Sequence, residues 1–196
     1  MKKRREINPQ AKRTAIMAAG EALFAANGYT NTSMAEIAAK ADVAVGTVYR
    51  LFPDKASLLA ALHAAMEERF VRAMTTGWGK ADSYADRFAP MLEALFVEAE
   101  AVRETMPLYT MTRDMIGAAD YVPGVRMIAA IEAMYAQGVS AEVYRPLPEG
   151  FVGPVAHAMV EGAMRAWMAE PTPVWKQKVT SELEVLFRAS FVKTRV

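Results

Sequence analysis

Between Ser33 and Lys55 the chain reads SMAEIAAKADVAVGTVYRLFPDK, and no other stretch of its 196 residues restricts the fold so tightly. Ser33 followed three residues later by Glu36 forms a capping box. The hydroxyl accepts from the Glu36 backbone N–H while the carboxylate reaches back to the backbone N–H of Ser33. A helix is therefore predicted to start there, with Met34, Ile37, Ala38 and Ala41 on one face. Lys40-Ala41-Asp42-Val43 then breaks the pattern with no Gly or Pro linker, which predicts a tight turn. From Ala44 the apolar spacing resumes as Ala44, Val48 and Leu51, one row of a second helix that docks on the first. Two short helices crossing over a turn make a helix-turn-helix.

The face opposite that row is suited to a DNA groove. With Ala44, Val48 and Leu51 inward, steps of about 100° per residue turn Gly46, Tyr49 and Arg50 outward, with Val45 and Thr47 on the flanks. The leading end is small, so Val45, Gly46 and Thr47 allow close approach to a groove floor. The Thr47 hydroxyl suits a base edge or phosphate, and the methyl groups suit a thymine methyl. Tyr49 offers a phenol and Arg50 a fork of donors to phosphate oxygens. Phe52-Pro53 ends this helix, and Asp54 is placed to cap the next, leaving Lys55 in its first turn. A lysine there is slightly disfavoured by the helix dipole, which suggests an external anion as its partner.

Ile16, Ala19, Leu23-Phe24, Gly28-Tyr29, Thr32-Ser33-Met34, Ile37-Ala38, Ala41, Val43-Ala44, Gly46-Thr47-Val48-Tyr49, Phe52 and Lys55 together closely resemble the N-terminal DNA-binding domain of the tetracycline-repressor (TetR) family. The resemblance covers about the first 60 residues. It implies an all-helical, dimeric, ligand-responsive regulator of about nine helices, usually a repressor. By the same resemblance Val45, Gly46, Thr47 and Tyr49 would sit in the major groove, with Thr32 or Ser33, Tyr49 and Lys55 on phosphates. Asp42 stands where the family commonly has glycine, a departure that turn geometry tolerates.

Net charge is +1, but its distribution is uneven. Residues 1–55 hold nine Lys and Arg against five Asp and Glu, and the remainder fourteen against seventeen. The basic end is the end with the helix-turn-helix. There is no cysteine, which removes disulfides and cysteine-metal sites, and a cytoplasmic location is expected. The apolar run from Ala15 is interrupted by Glu21 and continues as an amphipathic helix of about Pro9 to Asn27, closed by Gly28, so a secretion signal is rejected. No apolar run is long enough to span a membrane. Lys2-Lys3-Arg4-Arg5 reads either as a solvated tail or as an arm reaching phosphates.

The expected division is a DNA-binding domain at 1–55 and a ligand-binding and dimerisation domain at 56–196, with a connecting helix at about 54–76 ended by Gly77-Trp78-Gly79. Helices are predicted over 83–105, from Pro107 to about 118, over 125–137, 151–169 and 174–192, with Val139 to Gly150 as the longest loop. No strand pattern competes, so the fold is all-α.

The last two helices look built for association. Gly153, Ala156, Gly162 and Ala163 permit close helix approach, and Val179, Leu183, Leu186 and Phe187 give the final helix two apolar sides. A homodimer joined by a four-helix bundle is expected. Fourteen methionines are many for this length. Their density beside aromatic side chains suggests a pliable apolar pocket, with Phe88, Met91, Phe96, Tyr109, Met111, Met115, Met127, Met134 and Trp167 as lining and His157 among the polar anchors. His157 and Glu161, four apart, can pair. Two histidines, no metal-spaced ligand set and no Gly-rich phosphate loop argue against an enzyme, and no cofactor or metal is expected. The expected partners are an inverted-repeat DNA operator, a second copy of the chain and an unidentified hydrophobic small molecule. Two rival readings stay open: a constitutive DNA binder without ligand, and a helical carrier of hydrophobic molecules with a vestigial helix-turn-helix.

Overall fold

The computed structural model of the protein describes residues 8–112, Val122 and residues 124–193. In chain order these form α1 (Pro9–Asn27), α2 (Met34–Lys40), α3 (Val45–Leu51), α4 (Lys55–Trp78), a 3-10 turn (Tyr84–Asp86), α5 (Phe88–Ala101), α6 (Met106–Thr112), α7 (Val125–Ser140), α8 (Val152–Ala169) and α9 (Pro173–Phe191). Among the described residues there are nine α-helices and no strand beyond a single antiparallel bridge between Tyr144 and Val192. The all-α expectation holds.

The chain divides into two compact units, one from the described parts of Met1–Met66 and Glu104–Pro123, the other from Glu67–Arg103 and the described part of Gly124–Val196. In the first, α1 begins with Asn8, whose side chain accepts from the Gln10 N–H, and Pro9 occupies the first turn where its missing N–H costs nothing. The predicted capping box at Ser33 is present in both directions. Asp42 takes a left-handed φ of 52° in the turn to α3, the geometry that lets Asp stand for glycine. Ile16, Ile37, Val48, Leu58 and Leu59 are wholly excluded from solvent, each worth roughly 1.5–3 kcal/mol by apolar burial. Gly20 lets Leu58 lie directly on α1, since a Cβ there would meet the leucine at 2.9 Å. Asp54 caps α4 as expected, accepting from Ser57 N–H at 2.7 Å. Asp54 N–H in turn donates to the Ser57 hydroxyl. The short α6 belongs to this unit, and its Tyr109 hydroxyl donates to the Glu21 carboxylate on α1 at 2.7 Å.

The second unit is built on aromatic packing. Phe88 stacks on Phe187 with ring centroids 4.3 Å apart, and Phe96 meets Trp167 edge-on at 5.3 Å. Tyr144 is fully buried against Gly138, whose missing side chain makes room for the ring. Its hydroxyl donates to the Tyr84 carbonyl, and burial pushes its pKa well above the ordinary phenol value. Glu67, in the second half of α4, accepts from the Arg126 and Met127 backbone N–H groups at 3.0 and 3.2 Å and so caps α7 from outside.

Several boundaries differ from those predicted, and two of the differences have a clear cause in the packing. α4 runs through Gly77 to Trp78 because that glycine accommodates α5, where a Cβ would lie 2.5 Å from the Pro90 carbonyl. The helix expected over 83–105 is split: Arg87 donates to the Ala81 carbonyl and its guanidinium lies 3.9 Å over the Tyr84 ring, folding that segment into a 3-10 turn before α5 starts at Phe88.

Candidate nucleic-acid interface

α3 is positioned by one deeply buried contact and a tight turn. Val48 is its fully buried residue, Leu51 is half-buried, and the Val43 N–H donates to the Ala38 carbonyl, closing the turn onto α2. Ala44, expected inward, is instead the exposed N-cap of α3, because its extended φ,ψ places it outside the helix. The Thr47 N–H donates to its carbonyl at 2.8 Å.

The outward face is the one read from the sequence. Val45 is 42% and Tyr49 51% exposed, Gly46 and Arg50 are exposed, and Thr47 is half-buried. A Cβ added at Gly46 would meet nothing within 4 Å, so no neighbour among the described residues requires glycine there. Among the described residues, none of the Thr47, Tyr49 and Arg50 side chains is engaged in a hydrogen bond or ion pair. Lys40, at the end of α2, is also exposed. Donors without partners, on a narrow helix with a glycine near its tip, are what a base edge and a phosphate backbone require.

Three residues expected on phosphates make contacts within the chain. Thr32 is 2% exposed and its hydroxyl donates to the Gly28 and Leu23 carbonyls, so it fastens the end of α1. Ser33 is exposed, but its hydroxyl donates to the Glu36 carboxylate at 2.7 Å within the capping box. That box holds the Glu36 carboxyl below the usual carboxylate range, chiefly through the Ser33 side-chain and backbone hydrogen bonds. The Lys55 ammonium donates to three backbone carbonyls, Tyr29 at 2.7 Å, Thr32 at 2.9 Å and Thr30 at 3.1 Å, and sits 4.5 Å over the Tyr29 ring. Spacing alone could not reveal this, because the carbonyls come from residues more than twenty positions away.

The expected pocket residues do not form one set. Phe88, Met91, Phe96, Met134 and Trp167 are buried in the core of the second unit, with Met127 half-buried against it. Tyr109 and Met111 belong to the first unit, where Tyr109 is buried and Met111 is 75% exposed. They share a residue type but not a place in the fold, since α6 packs on α1. Met115 lies outside the described residues. His157 and Glu161 do approach, at 3.9 Å, and Glu161 also accepts from Arg165 at 2.9 Å. An open groove of about 370 Å³ lies between α4 and α5, lined by Arg69, Arg72, Thr76, Lys80, Glu93 and Glu98 among others, and contains none of the expected pocket residues.

Of the expected association residues, Gly153, Leu183 and Phe187 are buried within their own unit, and Ala156, Ala163 and Val179 pack half-buried on its core. Gly153 is there for α7, since a Cβ would meet Glu132 and Ile128 at under 3 Å. Leu186 and Gly162 are exposed, and Gly162 again has open space beside it. The exposed face of α8 adds Val155, Ala158 and Ala166, and that of α9 adds Val174 and Val185. Val155, Val174 and Val185 are not among the expected association residues, although their spacing along each helix carries the signal.

Among the described residues no group of three potential ligands is arranged to hold a metal ion, and no helix is long and apolar enough to cross a membrane.

Comparison with known proteins agrees with this geometry. Residues 16–62 match the family model of bacterial regulatory proteins, tetR family. The HTH-type transcriptional repressor KstR of Rhodococcus jostii (strain RHA1) is 45% identical over 58 residues, a match spanning 30% of this chain and 27% of that relative. The crystal structure of a TetR-family transcriptional regulator from Pectobacterium atrosepticum has a TM-score of 0.72 at 19% identity, covering 95% of this chain and 97% of that one. One from Haemophilus influenzae has a TM-score of 0.69 at 15% identity, covering 94% and 98%. Residues 16–62 thus carry the helix-turn-helix domain of the tetR family of bacterial regulatory proteins, and the fold of the described residues is similar to that of solved TetR-family regulators.

Proposed function

We propose that the protein is a dimeric, sequence-specific DNA-binding repressor, each copy offering the outer face of α3 to a major groove. The observation that carries the reading is that face itself: Gly46 with empty space beside it, and the Thr47, Tyr49 and Arg50 side chains unengaged among the described residues. Thr47 and Val45 discriminate bases, while Tyr49, Arg50 and Lys40 meet phosphates. The exposed apolar stripes of α8 and α9 support pairing with a second copy, since a chain working alone gains nothing from Val174 at 77% exposure or from an idle glycine at 162. A dimer of this kind reads an inverted repeat whose half-sites lie about one helical turn or a little more apart.

The release signal we propose is a hydrophobic small molecule taken up by the second unit. Its methionine-rich composition supports this. Such a molecule must favour the DNA-incompetent form. A coupling of about 1–3 kcal/mol gives 5–150-fold release per site. Selection of bound fragments from a random duplex library tests the function. An enriched inverted repeat is expected, and retention of no fragment even at low salt would overturn the proposal.

A further inference from the structure

We propose that Lys55 is a positioning residue that fastens the helix-turn-helix from within, and that it makes no phosphate contact. The inference rests on the DNA-binding reading above. A lysine ammonium has three donors and no acceptor. Here all three are engaged, on the carbonyls of Tyr29, Thr30 and Thr32 at 2.7–3.1 Å, and the Tyr29 ring covers a further side of the charge. A phosphate could draw the ammonium out only by breaking these three hydrogen bonds, and those to Tyr29 and Thr32 are partly buried.

The three carbonyls lie in one short turn, the link from α1 to α2. Gly28 opens it with φ +81°, Thr32 ties it back to α1 through its hydroxyl, and Ser33 follows at once as the N-cap of α2. Lys55 is the first residue of α4, on the far side of α3 in the chain. One ammonium therefore joins the element before the helix-turn-helix pair to the element after it, across 23–26 residues. A cation in a helix's first turn opposes the dipole, and three carbonyl dipoles aimed at it offset that cost. The angle at which α2 and α3 are presented depends on this clasp.

The reading separates cleanly from a phosphate role, because removing a phosphate contact lowers the slope of log affinity against log salt by about 0.9, whereas removing a positioning contact does not. Lys55→Ala and Lys55→Arg would be titrated against a duplex recovered by the wild-type protein from a random library. The titrations run from low to high salt at a temperature where circular dichroism shows each variant folded. Both should bind roughly tenfold or more weakly with the wild-type slope. Arginine should fail with alanine, because a planar fork cannot aim at three converging carbonyls, though it serves a phosphate well. Full affinity in Lys55→Arg, or a slope reduced by about one in Lys55→Ala, would overturn the proposal. So would undiminished binding by Lys55→Ala. Hydrogen exchange supplies a readout independent of DNA: the amides of residues 30–36 should exchange about tenfold faster in both variants, and unchanged protection would overturn the clasp. Failure of the wild-type protein to bind any duplex, with exchange accelerated as expected, would instead strike the DNA-binding reading.

Discussion

The outer face of α3 and the outer face of α8 share one oddity and differ in everything else. Each carries a glycine inside a helix, Gly46 and Gly162, around which a Cβ would find empty space. Gly20, Gly77, Gly138 and Gly153, by contrast, each have a neighbour that a Cβ would strike at under 3 Å. The second group is explained by the chain's own packing. The first lowers helix stability with no compensating contact among the described residues, which supports the proposal that each space serves a partner. What surrounds each glycine says what that is. On α3 it is Thr47, Tyr49 and Arg50, donors suited to a polyanion; on α8 it is Val155, Ala158 and Ala166, a surface suited to its own copy.

The comparison breaks first at the apolar face. Leu186→Asp, on the exposed side of α9 at 50% exposure, should weaken self-association by about 3 kcal/mol or more, upward of a hundredfold, leaving the monomer fold intact. Sedimentation equilibrium measures it, and an unchanged oligomeric state would mean that another surface pairs the subunits. Gly162→Ala and Gly46→Ala sharpen the parallel. Each should raise the stability of the separate chain by up to about 1 kcal/mol. Gly162→Ala should then weaken the dimer and spare the binding of DNA per dimer, while Gly46→Ala should weaken DNA binding and spare the dimer. Thermal melts beside the two association assays would show the crossed pattern, and a single variant impairing both would erase the distinction.

The smallest effect is at Glu36. Its carboxyl titrates lower in the folded chain than in the unfolded one, so its contribution is complete at pH above the ordinary carboxylate range and is lost as pH falls through the lowered value. The gap in Tm between wild type and Glu36→Gln should close as the solution is acidified through that range. A gap that stays constant would show that the carboxylate's charge has no part in the cap.

The two units were not equally legible. α1, the capping box, the Asp42 turn and the outer face of α3 could be read because each depends on residues within a few positions of one another, where capping chemistry and helical spacing decide the outcome. What could not be read depended on partners far along the chain. Lys55 finds its carbonyls more than twenty residues back, and Tyr109 finds Glu21 eighty-eight residues away. Gly153 and Gly162 are nine residues apart on one helix, yet one meets α7 and the other meets nothing. Composition named residue types that suit a pocket and a dimer face, but it could not say which side of a helix the core would take. Phe187 and Leu186 are adjacent in sequence, the first buried and the second exposed.

Thr47→Ala tests most directly whether α3 reads DNA through that face. On the duplex that the wild-type protein recovers from a random library, the variant should lose about 1–3 kcal/mol, concentrated at particular base pairs, while its affinity for random duplex stays the same. Equal losses on both duplexes, or none on either, would contradict the account.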